Sequence, residues 1–270
     1  MSRQALANIW LGMLRFPLDG RTGKPREQGL TMVIDKGLGL GETGDLLHTA
    51  GNYIDFIKLG FGTSALYSQE LLEEKINLVK SFGIDIYPGG TFFEIAVLQG
   101  KVKEYLMTAK SLGYTTIEIS DGTIDLSREV RANAISLAAG MDLKVLTEVG
   151  KKNAGDMADP RVYAQQIRDD LKNGACKVIV EGRESGKNAG FYDRDGKLLL
   201  NGMEDLLSAA GGHRRLIWEA PLKEQQQELI LRFGPDVNLG NIQPHEVLSL
   251  EALRVGMRSD TLRSVCGKVR

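Results

Sequence analysis

The stretch KVLTEVGKKNAGDMADPRVYAQQIRDDLKNGACKVIVEG, residues 144–182, contains the pattern that decides the fold. It begins and ends with short apolar runs rich in valine, which are typical of strands buried on both faces. Between the runs, Asp159 is a natural N-cap and Pro160 a natural first helical residue, and Gly174 stands where the helix should end. The stretch therefore predicts one strand–helix–strand unit of a parallel α/β fold.

The same pattern extends in both directions, with strand-like runs recurring about every 30 residues and helical patterns between them. The runs are TMVID (31–35), YIDFIKLG (53–60), IDIYPGG (84–90), TIEISDG (116–122), KVLTEVG (144–150), KVIVEG (177–182), RLIWEA (215–220) and VNLGN (237–241). Between the third and fourth runs, apolar spacing predicts one helix that contains Leu98, Val102, Tyr105, Ala109 and Leu112. Eight such units can form an open sheet or a closed barrel, and eight within about 240 residues favour the barrel. The sequence therefore predicts an α/β fold, a (β/α)₈ TIM-type barrel.

No break in composition divides the chain, so residues 29–270 are predicted to form one barrel domain. Residues 1–28 are predicted to form a short N-terminal arm, because the segment RFPLDGRTGKPREQ (15–28) is polar, basic and rich in proline and glycine. We interpret this arm as a solvated lead-in, with a lid or a subunit contact as the alternatives.

Bulk composition argues against several classes of protein. The chain has 270 residues and a formal net charge of −1, which is unlike proteins that coat nucleic acid or an anionic membrane. Its cysteines, Cys176 and Cys266, lie far apart without metal-type spacing, as expected in a reducing cytosol. No signal peptide is recognised, and no apolar run approaches the roughly 18 residues that a membrane-spanning helix needs. We expect a cytoplasmic homo-oligomer without nucleic-acid or membrane partners.

Charged residues concentrate at the carboxyl ends of the predicted strands, where barrels of this kind carry their active sites. Side chains alternate between the two faces of a strand, and the apolar residues of the fourth to seventh strands share one face. If that face meets the helices, the other face points four glutamates into the barrel mouth: Glu118, Glu148, Glu181 and Glu219. Such carboxylates repel one another unless cations offset them. Mg²⁺ is one solution, the cations Lys58, Lys152 and Arg183 are another, and a purely structural ion-pair network without metal is the alternative.

Two glycine-rich segments are candidates for phosphate binding. YPGGT (87–91) and GRESGKNAG (182–190) combine glycine with small polar residues, and their backbone N–H groups can face an anion. Flexible loops without a ligand are the alternative. The run GLGETG (39–44) matches the dinucleotide-binding pattern, but Lys58 and Gly60 replace the acidic residue expected after the second strand, so nucleotide binding is not favoured.

Taken together, the strand-end segments resemble the phosphosulfolactate synthase family. The resemblance is carried by TMVIDKG, YIDFIKLGFGTSA, YPGGTFFE, IEISDG, VLTEVGKK, IVEGRESGK, VNLGNI and LEALRVGMRSDT, which follow in order through nearly the whole predicted barrel. It implies a (β/α)₈ barrel that adds sulfite to phosphoenolpyruvate with Mg²⁺, giving (2R)-2-phospho-3-sulfolactate. The family includes archaeal enzymes that open coenzyme M biosynthesis, bacterial relatives and plant heat-stress-associated proteins.

This chemistry suggests roles for the strand-end residues. We expect Glu148 and Glu181 to be the first ligands of Mg²⁺, with Glu118 and Glu219 beside them. Anionic substrate is expected to contact Lys36, Lys58, Gly89, Gly90, Ser120, Arg183, Ser185 and Gly186. Lys152, in VGKK, matches the position that the family implies for the acid that protonates carbon 2, and Lys151 should then point away from the site.

Two other functions stay open at this point. A Schiff-base aldolase on the same fold would use Lys58, Lys144 or Lys152 as its nucleophile and would not require Mg²⁺. A non-catalytic, stress-associated barrel would keep the fold without the activity. The intact set of strand-end charges argues against the second alternative.

Overall fold

The computed structural model describes residues 9–151, 159–188 and 190–266. Within these ranges, eight parallel strands alternate with helices around a nearly closed barrel. The strands are β1 Thr31–Asp35, β2 Phe56–Leu59, β3 Asp85–Pro88, β4 Thr116–Ile119, β5 Lys144–Val149, β6 Lys177–Val180, β7 Leu216–Glu219 and β8 Leu239–Ile242. Their hydrogen-bonded order is β3-β2-β1-β8-β7-β6-β5-β4. The predicted (β/α)₈ barrel is confirmed.

The barrel closes between β3 and β4 through individual hydrogen bonds instead of a ladder. Between Ile86 in β3 and Thr115 just before β4, Ile86 N donates to Thr115 Oγ1 at 3.0 Å and Thr115 N donates to Ile86 O at 3.3 Å. Beyond the end of β3, Gly90 N donates to the Glu118 carboxylate at 2.8 Å. The side chain of Glu118, which faces the barrel mouth, therefore helps to close the barrel between β3 and β4, where no ladder forms.

The helices lie outside the strands. They are α1 Leu40–Ala50, α2 Gln69–Ser81, α3 Gly90–Leu98, α4 Val102–Leu112, α5 Arg128–Gly140, α6 Pro160–Asn173, α7 Met203–Ala210, α8 Lys223–Phe233, α9 Val247–Arg254 and α10 Ser259–Leu262. The single helix predicted between β3 and β4 is wrong, because a left-handed Gly100 at φ +66° separates α3 from α4. The Asp159 side chain caps α6 as predicted, and Gly174 ends it at φ 117°. No helix in the described ranges is long and apolar enough to cross a membrane.

Apolar side chains pack on both faces of the barrel wall. The outer layer joins the strands to the helices, and the inner layer fills the barrel below its mouth. The inner layer consists of Leu30, Met32, Phe56, Tyr87, Leu146, Ile179 and Ile217. Residues two apart on a strand share a face, so three of these strands carry a glutamate directly above an inner-layer residue. The inward direction predicted for the strand-end glutamates follows from this register.

The segment before β1 crosses the amino ends of the strands, opposite the charged mouth. Arg26 pairs with Asp55 at 2.8 Å just before β2, and Arg21 pairs with Asp236 at 3.3 Å just before β8. The two arginine side chains are 2% and 8% exposed. Residues 21–28 are therefore packed against the barrel base, where they do not cover the mouth.

Candidate active site

A cavity of about 300 Å³ lies at the carboxyl ends of the strands. Its wall contains eight of the residues predicted for the site, namely Lys58, Gly89, Gly90, Glu118, Glu148, Glu181, Arg183 and Glu219. Thr91, from the predicted YPGGT segment, also lines it, as do Phe61, Thr123 and Asn241, which were not among the predicted site residues. A larger depression, of about 550 Å³, lies on α8 but is lined by that helix alone. The cavity at the mouth is the candidate active site because charged groups from many strands converge there.

Three of the four glutamates form a compact cluster, here called the carboxylate trio. Glu148, Glu181 and Glu219 each present an oxygen, and these oxygens lie within 4.8 Å of one another. None of the three residues is more than 2% exposed. Buried negative charges at this spacing need positive partners. Because hard divalent cations such as Mg²⁺ prefer carboxylate oxygens, the donor set of the trio fits such a cation.

Lys58, from β2, lies among these carboxylates. Its Nζ is 3.0 Å from Glu118, 3.2 Å from Glu219 and 3.8 Å from Glu148. Burial by itself lowers the pKa of Lys58, but Glu118, Glu219 and Glu148 outweigh burial and hold this pKa well above its ordinary value. The ammonium therefore keeps its proton and offsets part of the negative charge in the mouth.

Glu118 is held differently from the trio. One of its oxygens contacts Lys58 at 3.0 Å, and the other accepts a hydrogen bond from Gly90 N at 2.8 Å. Burial raises the pKa of Glu118 to about 7, although the Lys58 ammonium opposes this shift. Glu118, which was also predicted as a metal ligand, is not among the three carboxylates whose oxygens lie within 4.8 Å of one another.

The two glycines after β3 line the cavity, but their N–H groups are used within the protein. Gly89 N donates to Leu59 O at 2.9 Å, and Gly90 N donates to Glu118 at 2.8 Å. A Cβ at Gly90 would overlap the Ser120 side chain, so glycine permits the close approach of α3 to β4. These two amides are therefore engaged within the protein, where they position α3, and contact of Gly89 and Gly90 with substrate stays a prediction.

Ser120 does not line the cavity, in contrast to the prediction, and joins two carboxylates behind its wall. Its hydroxyl lies 2.7 Å from Glu94 Oε1 and 2.9 Å from Glu148 Oε1. A hydroxyl has one hydrogen, so Ser120 can donate to only one of them at a time. Glu94 comes from α3, is 2% exposed and also accepts a hydrogen bond from Thr123 N at 3.0 Å. Glu94 was not among the predicted site residues, although a single acid in an otherwise apolar helix indicates a buried charge.

The loop after β6 brings Arg183 to the cavity. The backbone of Arg183 is left-handed at φ 58°, and its N–H donates to the Glu181 carboxylate at 2.6 Å. Ser185 and Gly186, which were predicted to bind substrate, do not reach the cavity wall. Ser185 is exposed, and Gly186 O accepts a hydrogen bond from Gln225 of α8 at 2.7 Å. Of Arg183, Ser185 and Gly186, which were predicted to bind the anion, Arg183 is therefore the one that reaches the cavity wall.

Lys36 lies at the rim, outside the cavity wall. Its Nζ is 3.4 Å from Glu184, and both side chains are nearly half exposed, so this ion pair contributes little stability. The loop that carries Lys36 is fixed from below by Asp35, which accepts two backbone hydrogen bonds and pairs with the buried Lys75 at 2.5 Å. Lys75, which lies buried on the inward face of α2, was not among the predicted site residues.

Lys152, the predicted acid, lies outside the described residues. Its neighbour Lys151 donates hydrogen bonds to the carbonyls of Asp121 and Ile124, at 2.7 and 2.9 Å, and to the Asp125 carboxylate at 2.9 Å. An ammonium has three hydrogens, so these contacts use all of them. Lys151 therefore fastens the loop that follows β4 and does not line the cavity.

Comparison with known proteins agrees with the family resemblance of the strand-end segments. Residues 19–260 match the family described as (2R)-phospho-3-sulfolactate synthase (ComA). A phosphosulfolactate synthase from Methanothermobacter thermautotrophicus is 45% identical over 250 residues, which are 91% of this chain and 95% of that protein. A phosphosulfolactate synthase from Methanocaldococcus jannaschii is 47% identical over 88% of this chain and 96% of that protein.

Among solved structures, 3-hexulose-6-phosphate synthase from Salmonella typhimurium has a TM-score of 0.55 at 13% identity. The match covers 85% of this chain and 100% of that one, and at this identity it shows the barrel fold alone. The family match, by contrast, extends over all eight strands and the loops that build the cavity. The chain therefore belongs to the (2R)-phospho-3-sulfolactate synthase family.

Proposed function

We propose that the protein adds sulfite to phosphoenolpyruvate in a Mg²⁺-dependent reaction that gives (2R)-2-phospho-3-sulfolactate. The observation that carries this proposal is the carboxylate trio beside Lys58 and Arg183 in one cavity. Family membership supports the product, and the charges of the cavity support the class of substrate. In this proposal the protein acts as a carbon–sulfur lyase in the synthetic direction.

The size and charge of the cavity suit two small anions. A volume of about 300 Å³ is at the lower end for small-molecule sites. Two anions at contact distance repel each other by several kcal/mol at intermediate dielectric, so a site that joins them must supply cations. Arg183 at the wall and a divalent cation on the trio would supply them, whereas Lys58 is already surrounded by carboxylates.

In the proposed reaction, the sulfur of sulfite forms a bond to the terminal carbon of phosphoenolpyruvate. The electron pair of the carbon–carbon double bond moves toward the carboxylate, and carbon 2 then takes up a proton. A Mg²⁺ held by the trio would stabilise the charge that develops on the carboxylate. Arg183 can hold a phosphate or carboxylate through two parallel hydrogen bonds. Lys152 remains the predicted source of the proton.

The geometry disfavours the aldolase alternative at two of its three candidate lysines. Lys58 holds its proton among three carboxylates, so its nitrogen is a poor nucleophile. Lys144 pairs with Asp85 at 2.5 Å at the amino end of the barrel, far from the mouth. Lys152 is the remaining candidate, and borohydride trapping with a keto substrate would identify a Schiff base there.

The decisive assay incubates the purified protein with phosphoenolpyruvate, sulfite and Mg²⁺ and follows the product by mass. We expect product only when all three are present, loss of turnover on chelation of the metal, and recovery when Mg²⁺ is returned. Folded protein that makes no product under these conditions would contradict the proposal and favour the non-catalytic barrel.

We further propose a cytoplasmic homo-oligomer without nucleic-acid or membrane partners. Apolar side chains of the arm support self-association, because Ile9, Leu11 and Met13 are each about half exposed or more in the single chain. Light scattering should give a multiple of the single-chain mass. A monomer at assay concentration would contradict this part of the proposal.

A further inference from the structure

Strand β8 contains an irregularity directly below the cavity. Thr31 pairs with Leu239 and Val33 with Ile242, so a step of two residues in β1 faces a step of three in β8. Such an extra residue is a β-bulge, which re-aims side chains and is frequent beside active sites. At the bulge, Asn241 has a left-handed backbone at φ 54°.

The bulge changes where the Asn241 side chain lies. A Cβ at Gly240 would meet Met32 and Ile217, which belong to the inner layer, so position 240 faces the barrel interior. Regular alternation would then turn Asn241 outward, toward the helices. Asn241 nevertheless lines the cavity and is 3% exposed. The extra residue therefore brings a second consecutive position of β8 to the inside of the barrel.

Asn241 carries two local costs at this position. Its Oδ1 is buried and has no hydrogen-bond partner in the described part of the chain, and an unpaired buried polar atom costs about 1–3 kcal/mol. A left-handed backbone at a residue other than glycine adds a further cost, which is smallest for asparagine and aspartate. Because the Oδ1 of Asn241 lies in the cavity wall without a hydrogen-bond partner in the described part of the chain, it is available to bind a ligand in the cavity.

The neighbours of Asn241 indicate what that ligand is. Glu219, a member of the trio, pairs in register with Gly240, the residue before Asn241. A cation on the trio would meet three carboxylates, so a fourth charged ligand would leave the buried site strongly negative. A carboxamide oxygen is a ligand that hard divalent cations accept, and it adds no charge.

We propose that Asn241 supplies its Oδ1 to the cation site of the carboxylate trio as a neutral oxygen donor. This inference rests on the metal dependence in the proposed function, which it extends to a residue on a further strand. The bulge in β8 is then the feature that directs the side chain of Asn241 toward the cavity at the barrel mouth.

The test measures Mn²⁺ binding by the intact protein without substrates, using the paramagnetic resonance signal of free Mn²⁺. Asn241→Gly removes the oxygen and suits the left-handed backbone, so we expect a folded protein with about 10–100-fold weaker Mn²⁺ affinity. Asn241→Asp keeps an oxygen in place, and its added negative charge destabilises the empty site but attracts the cation, so Mn²⁺ should bind at least as tightly as in the parent. Asn241→Ala also lacks the oxygen but puts a methyl group on the left-handed backbone, so it is the second variant, and thermal unfolding checks that each variant is folded before its Mn²⁺ affinity is compared.

Asp142→Gly is the matched control. Asp142 also has a left-handed backbone, at φ 55°, but it is exposed in the turn before β5. We expect its replacement to leave Mn²⁺ affinity unchanged. Unchanged affinity in Asn241→Gly would overturn the inference and leave the proposed function intact, as would equal weakening in Asn241→Gly and Asn241→Asp. A parent protein that binds no divalent cation would contradict the metal dependence itself.

Discussion

At the scale of single residues, each member of the carboxylate trio has a hydrogen-bond donor within reach, and Glu148 shares its donor with Glu94. Glu148 lies 2.9 Å from the Ser120 hydroxyl. Glu181 and Glu219 accept hydrogen bonds from the backbone of the loop after β6, at 2.6 and 3.0 Å. Donors of this kind fix the direction of a ligand before a cation arrives, which raises affinity. These donors therefore hold the three carboxylates close together, although the negative charges of the carboxylates repel one another.

The first prediction concerns a charge in the trio. Glu181→Gln keeps the volume of the side chain but removes its negative charge, so we expect the affinity for Mg²⁺ to fall about 10–100-fold. Isothermal titration calorimetry with Mg²⁺ measures this effect. Glu74→Gln, on the exposed face of α2, should bind Mg²⁺ like the parent. If Glu181→Gln and Glu148→Gln both kept the parent affinity, the assignment of the trio would be wrong.

The second prediction separates two adjacent lysines. Lys152→Ala should fold normally and lose about 10²–10⁴-fold in turnover, because a positioned acid is missing. Lys151→Ala should lose much less turnover, since its ammonium is used by the loop that follows β4. Steady-state kinetics on both variants measures the difference. Parent-like turnover in Lys152→Ala would exclude it as the acid, and a larger loss at Lys151 would reverse the two roles.

At the scale of elements, α3 replaces the missing ladder between β3 and β4. The first turn of the helix is bonded to Glu118 through Gly90 N, and Glu94 bonds to Ser120 and to Thr123 N. These contacts need α3 to lie close against β4, which the lack of a side chain at Gly90 permits. The packing of this helix therefore affects both the closure of the barrel and the carboxylates of the site.

The third prediction tests this close approach. Gly90→Ala would bring a Cβ within 2.5 Å of Glu118 Oε1. We expect a loss of about 1–3 kcal/mol in the free energy of unfolding, because α3 must move away. Gly41→Ala in α1 is the matched control. Its Cβ would meet nothing within 4 Å, and alanine should stabilise that helix by up to about 1 kcal/mol. Urea unfolding compares the two, and equal stabilities would show that α3 tolerates the added methyl group.

At the scale of the whole molecule, the carboxyl ends of the strands form the candidate active site, and the amino ends form contacts that stabilise the fold. The carboxyl ends of the strands hold the trio, Lys58 and Arg183 around the cavity. At the amino ends, residues 21–28 pack across the base through buried ion pairs. Because the inner layer of apolar residues separates the two ends, a change at the base should affect stability without changing the chemistry of the mouth.

The fourth prediction uses this separation. Arg26→Ala removes the ion-pair partner of the largely buried Asp55, whose hydrogen bond from Thr31 N does not neutralise its charge, so we expect a loss of about 3–5 kcal/mol in the free energy of unfolding. Turnover per folded molecule should stay at the parent value, because Arg26 lies at the opposite end from the cavity. Arg161→Ala breaks an exposed pair with Asp159, and its cost should be below about 1 kcal/mol. A large change in the Michaelis constant of Arg26→Ala would show that the two ends are coupled.

The sequence by itself determined the barrel and the inward direction of the strand-end glutamates. Both are local properties, because the period of strands and helices and the alternation of side chains can be read along one stretch of chain. The position of the charged cavity followed from them. Lys58 and Arg183, which were predicted from strand ends alone, indeed line that cavity.

Only the tertiary structure decided how the charged and polar groups are partnered. Three glutamates cluster while Glu118 pairs with Lys58, and Ser120 and Gly90 contact carboxylates where substrate contacts were predicted. The inward side chain of Asn241 depends on a bulge that reverses the expected alternation. The physical reason is that hydrogen bonds and ion pairs depend on angstrom distances between strands far apart in sequence, which local patterns do not contain.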